Sequence, residues 1–197
     1  GNFIGLNATG AAAAINGMGI DATGASGAVI GGPSAEERNF MTGGTTAIQV
    51  SSVGTTVAPT IQGNFIGLRS DGSALLSPPS TNGILAQWTF ALPGTVSDNR
   101  IVMSNGSPIN MLGAARVSGN VIGLLAGGAN SSGGATGIRL QNVGQVSPNR
   151  YPSQLAGNTI ANSSSAAIAL EGGRAVSITG NRISGSPSLA GILVKAG

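Results

Sequence analysis

Apolar residues recur in this chain as two short phrases, not as long stripes. The first is apolar-x-x-Asn-x-apolar. Its asparagines are Asn2, Asn39, Asn64, Asn99, Asn120, Asn158 and Asn181. Two residues after each stands Ile4, Met41, Ile66, Ile101, Ile122, Ile160 or Ile183, and three residues before five of them stands Ile61, Val96, Val117, Leu155 or Ile178. The second phrase is small-Ile-x-apolar, as in "GIDA" (19–22), "AIQV" (47–50), "GILA" (83–86), "GIRL" (137–140), "AIAL" (167–170) and "GILV" (191–194), with "PINM" (108–111) as a variant. Its isoleucines lie at 20, 48, 84, 109, 138, 168 and 192, at intervals of 28, 36, 25, 29, 30 and 24 residues.

Each interval holds three brief runs of period two, separated by Gly, Asn and Ser. Such runs are strands, and strands this short cannot bury a core alone. Helices fit poorly, because glycine interrupts every few residues at about 1 kcal/mol each relative to alanine. The pattern predicts an all-β solenoid of about six coils with three short strands per coil, the coils stacked at about 4.8 Å and the aliphatics turned inward in columns. The asparagines are expected at equivalent corners, where they tolerate the left-handed backbone of a sharp bend and bond along the axis as a ladder.

These phrases resemble those of the right-handed parallel β-helix, the pectin-lyase-like family of three-strand coils. The resemblance runs from "GNFIGL" to "GILV" and implies right-handed coiling. It implies little about function, since enzymes, tailspikes and adhesins share the architecture. Residues 1–197 read as a single domain that is expected to belong to a longer solenoid. "GNFIGL" (1–6 and 63–68) and "GNVIGL" (119–124) open a long loop on every second coil, so three loops (7–18, 69–82 and 124–135) are predicted on one corner, with a separate insertion at 33–38.

Composition sharpens the picture. The chain has 34 glycines, 8% charged residues, and neither His nor Cys. A disulfide framework, Cys-based zinc sites and His-dependent chemistry are excluded. No apolar run reaches the roughly 18 residues of a membrane-spanning helix. Residues 1–98 carry two basic and five acidic side chains, a net of −3, whereas 99–197 carry seven basic residues against Glu171, a net of +6. The arginines stand singly, without the clustering and aromatic interleaving of nucleic-acid binders, and read as solvated surface charge.

Candidate chemistry is sparse. If the isoleucines of the second phrase point inward, the outward column beside them reads Asp21, Gln49, Leu85, Asn110, Arg139, Ala169 and Leu193. Glycoside hydrolysis needs two carboxylates some 5–9.5 Å apart, and this column holds one. Asp71 in "RSDG" reads as a turn residue, since a lone Asp makes a poor calcium cage. Outward from the asparagine corners the residues are Phe3, Phe40, Phe65, Arg100, Val121, Thr159 and Arg182. The three phenylalanines are the candidate binding residues, expected to stack on one another or to be covered. Trp88 and Tyr151 are expected to pack loops onto the coils. No catalytic residue, metal site or cofactor is predicted. The expected function is a non-catalytic structural or adhesive segment of a secreted or cell-surface bacterial protein, with neighbouring coils or subunits as partners at open ends. The alternative is a polysaccharide-binding or polysaccharide-processing module. Neither nucleic acid nor membrane insertion is expected.

Overall fold

The computed structural model describes residues 1–10, 17–42, 44–52, 57–74, 79–88, 93–141, 152–172, 175–185 and 188–195. Every regular element among them is a strand, and the strands form three parallel sheets. Neighbours within each sheet are successive coils of one ribbon, an arrangement consistent with a right-handed parallel β-helix of three strands per coil.

The asparagine phrase makes the first sheet, from strands Phe3–Ile4, Phe40–Met41, Phe65–Ile66, Arg100–Ile101, Val121–Ile122, Thr159–Ala161 and Arg182–Ser184. The small-Ile phrase makes the second and broadest sheet: Met18–Asp21, Thr46–Ser52, Asn82–Trp88, Ser107–Leu112, Thr136–Gln141, Ala166–Glu171 and Ala190–Lys195. The third sheet comprises Val29–Gly31, Thr60–Gln62, Gly94–Ser97, Ala115–Ser118, Ser153–Ala156 and Val176–Thr179.

Register follows the predicted columns residue by residue. Ile20, Ile48, Ile84, Ile109, Ile138, Ile168 and Ile192 pair in sequence along the second sheet. Ile4, Met41, Ile66, Ile101, Ile122, Ile160 and Ile183 do so along the first. Those in the middle of the solenoid have no solvent exposure and form one continuous core. A single-residue slip would turn each column outward, so burial itself fixes the register.

Three positions differ from the sequence expectation. Ile30 fills the third-sheet column opposite Ile61; the insertion at 33–38 displaces it from its usual distance to Asn39. Trp88 does not pack a loop. It ends its strand inside the core, 1% exposed, and its indole Nε1 donates to the Ala114 carbonyl. It fills the space that the small neighbours Gly94 and Gly113 leave, for a β-carbon on either would collide with it. The left-handed corner residue is not the asparagine but the residue before it: Gly63, Gly119, Gly157 and Gly180 have φ of 62–70°, and Asp98 takes the same place at 57°. The asparagine backbone is thereby free to enter the next strand. Tyr151 lies outside the described residues.

The described parts of the segments 7–18, 69–82 and 124–135 follow the first-sheet strands Phe3–Ile4, Phe65–Ile66 and Val121–Ile122. Two of them open as small antiparallel turns, with Leu68 bridging Ala74 and Leu124 bridging Asn130. They also touch along the axis: Ser70 N donates to the Gly10 carbonyl (3.3 Å) and Ala126 N to the Gly72 carbonyl (3.2 Å). Residues 11–16 and 75–78 of these loops lie outside the described residues.

Candidate functional site

The corner asparagines build one axial ladder. Nδ2 of each donates to Oδ1 of the next through all seven, from Asn2 to Asn181, at 2.8–3.0 Å. Asn120 shows how one rung is bonded, its backbone N also donating to Asn158 Oδ1 (3.0 Å) and its Nδ2 also lying 3.1 Å from the Ser118 carbonyl. Its Nδ2 donates to Asn158 Oδ1 (3.0 Å) and to the Val96 carbonyl (2.9 Å), and its Oδ1 accepts from both the backbone N and Nδ2 of Asn99 (3.0 Å each). Two amide hydrogens and two lone pairs are all used, at a side chain without solvent exposure. A serine has too few donors and an aspartate has none. The ladder therefore gives the asparagines a structural role at a corner where polar groups would otherwise be buried unpaired.

The outward face of the first sheet carries the phenylalanines. Phe3, Phe40 and Phe65 pair on successive coils. Their rings are 5.5 and 5.4 Å apart between centroids, tilted and then edge-to-face, an arrangement favoured by the ring quadrupoles. Phe3 remains 44% exposed, whereas Phe40 and Phe65 are half-buried. The Arg38 guanidinium lies 4.3 Å above the centre of Phe65, and Arg38 Nε donates to the Gly63 carbonyl (3.2 Å). Arg100 follows Phe65 in the column, and its Nη1 donates to the Leu124 (3.3 Å) and Leu125 (2.6 Å) carbonyls at the foot of the third long loop. Burial holds the Arg100 guanidinium below its ordinary pKa, and the charge of Arg38 adds to the shift. These arginines are thus lodged against the solenoid, not freely solvated. Sequence spacing could not reveal that, because Arg38 belongs to the insertion and reaches the next coil.

The outward face of the second sheet holds the column from Asp21 to Leu193 in the predicted register. Beside it Gln141, Glu171 and Lys195 form a second column. Arg139 donates through Nε (3.0 Å) and Nη2 (2.6 Å) to Glu171 Oε2, Gln141 Nε2 donates to the same oxygen (3.1 Å), and Lys195 Nζ lies 3.5 Å from Oε1. Sequence reasoning treated Glu171 and Arg139 separately. One residue of period-two offset per coil brings them together, a signal present only once the register is known.

The other carboxylates have local partners. Asp21 accepts from the backbone and hydroxyl of Thr23, and Asp71 from those of Ser73, each a closed Asx turn. The Ser73 hydroxyl, then the Ser73 backbone, lowers the Asp71 pKa. Glu37 accepts from Ser34 N within the insertion, and Asp98 from Gln62 Nε2. Among the described residues, no three Asp, Glu, His or Cys side chains converge as a metal site.

For Glu171, burial opposes ionisation, but the hydrogen bonds from Arg139 and Gln141 and the charges of Arg139 and Lys195 outweigh it and hold the pKa below the usual glutamate value. A depressed folded-state pKa adds stability that is present above the unfolded pKa and is lost as pH falls through the folded one. Wild type is therefore expected to lose stability relative to Glu171→Gln only on acidification below the ordinary glutamate range. At neutral pH the difference is expected to stay under about 1 kcal/mol, because the pair is partly exposed. Urea midpoints of the two proteins across that range check this, and a gap unchanged by pH would remove the ion pair from the account.

The three sheets and the ladder define a parallel β-helix solenoid. No protein-family model, no curated protein and no solved structure matches this chain.

Proposed function

We propose that the chain is a non-catalytic structural or adhesive segment of a secreted or cell-surface bacterial protein, built on a pectin-lyase-like coil and continued end to end by further coils. The observation that carries this reading is the polarity of the ladder. Every ladder amide donates in the same axial direction, so the first coil offers the Oδ1 acceptor of Asn2, while at the last coil Asn181 Nδ2 donates back to the Leu155 (2.8 Å) and Thr179 (3.2 Å) carbonyls. Among the described residues, the strands of both outer coils have an unpaired edge. At one end Ile4, Ile20, Val29 and Ile30 line an open recess of about 360 Å³. At the other, Leu189, Ile192 and Val194 are 67%, 45% and 70% exposed. Unpaired edges and exposed aliphatic rows are templates for another coil, and the acidic first half against the basic second half favours head-to-tail contact.

Sedimentation velocity over a concentration series tests the reading. Association that grows with concentration, and that Ile192→Lys suppresses, is expected. A monomer at every concentration would count against it.

A second reading, a polysaccharide-binding module, is favoured by the phenylalanine column with its exposed leading ring, since an exposed aromatic ring accepts a pyranose against its face.

A further inference from the structure

Two cations flank Phe65: Arg38 over its face and Arg100 beside it in the column. All six side-chain carboxylates belong to the described residues, and both ion pairs found are made to Glu171. Neither guanidinium is therefore in a salt bridge with a side-chain carboxylate, although the exposed Glu36, whose pKa is lowered first by hydrogen bonding, also feels the Arg38 charge. Among the described residues the Arg38 side chain makes one hydrogen bond, through Nε, which leaves its Nη donors uncommitted to them. Arg100 spends Nη1 on two carbonyls. The burial and mutual repulsion that depress the Arg100 pKa are relieved by an anion. Phe3, the exposed ring, lies two coils away, about 10 Å along the axis at the spacing of stacked strands. That is the reach of two or three sugar units.

We infer that the Phe3–Phe40–Phe65 column with Arg38 and Arg100 is a site for an acidic oligosaccharide lying along the solenoid axis, one sugar against the phenylalanines and its charged group on the two guanidiniums. The inference rests on the polysaccharide-binding reading and narrows it to anionic chains. The planar forks suit a carboxylate or a sulfate group, and the shared chemistry is that of an oxyanion on a pyranose.

Calorimetric titration of the whole chain with hyaluronan tetrasaccharide (carboxylate only), chondroitin sulfate tetrasaccharide (carboxylate and sulfate) and chitotetraose (neutral) tests it. Binding of an acidic chain, absent for chitotetraose and weakened by salt, is expected. Binding of hyaluronan makes the carboxylate sufficient, and binding of chondroitin sulfate alone assigns the sulfate. Arg38→Gln and Arg100→Gln are each expected to weaken binding about tenfold or more, as for a lost charge-assisted hydrogen bond. Arg116→Gln, on the third sheet's exposed face, is expected to leave it unchanged. Because Arg100 also anchors a loop, Arg38→Gln, with thermal melts of each variant, separates lost binding from lost folding. Equal affinity for chitotetraose, or acidic binding indifferent to Arg38→Gln, would overturn the anion site and leave the carbohydrate reading standing. No binding of any of the three overturns both.

Discussion

Replacing Asn120 with alanine is expected to lower the unfolding free energy by about 3–5 kcal/mol. The truncation removes a side chain without solvent exposure and strands groups that stay buried: the backbone N and Nδ2 of Asn99 and the carbonyl of Val96. Each stranded group costs roughly 1–3 kcal/mol, and water entering the small gap offsets part of the sum. Asn120→Asp is expected to be at least as damaging. It keeps an acceptor for Asn99 but puts a carboxylate against the Val96 carbonyl and Asn158 Oδ1, two acceptors that have each lost the Nδ2 donor, Asn158 Oδ1 keeping only the Asn120 backbone N. Equilibrium urea denaturation of both variants measures the effect. A loss under about 1 kcal/mol for Asn120→Ala would mean that the ladder is incidental to stability.

Ile122→Ala is expected to cost about 2–5 kcal/mol, the range for deleting a buried aliphatic and leaving a cavity. Ile122 is fully buried and sits between Ile101 and Ile160 in the first-sheet column. Its neighbours are held by the ribbon above and below, so the hole cannot close by collapse. The strand is two residues long, which leaves no other inward side chain on it to compensate. Ile122→Val is expected to cost about 0.5–1.5 kcal/mol, and the two together give the slope of stability with lost volume. In a solenoid each coil touches only its neighbours, so the damage is expected to centre on the flanking coils, with amide exchange fastest in Arg100–Ile101 and Thr159–Ala161. Exchange accelerated evenly along the whole chain would contradict nearest-neighbour coupling.

Particular residues show where the sequence was sufficient. Asn64 and Asn99 are 35 positions apart and Asn99 and Asn120 only 21, yet both pairs meet in one ladder. The local phrase around each asparagine survives changes in the lengths between them, so matching phrases located the corners without counting residues. Failures came where length itself changed. The insertion at 33–38 hid Ile30 from its column and carried Arg38 over Phe65. Trp88 was misread because its surroundings are irregular in sequence, whereas the core slot it fills is made by Gly94 and Gly113 on other parts of the ribbon.

By itself, the sequence determined the all-β coil, its inward columns and the seven corners, because each is an alternation or a repeat that adjacent residues express. Only the tertiary structure decided that glycine or Asp98, not asparagine, takes the left-handed bend, that Glu171 is gripped by Arg139 and Lys195, and that two arginines close on Phe65. Those arrangements depend on which side chains lie one coil apart, and a coil of 21 to 38 residues sets that distance through loops whose lengths carry no repeating signal.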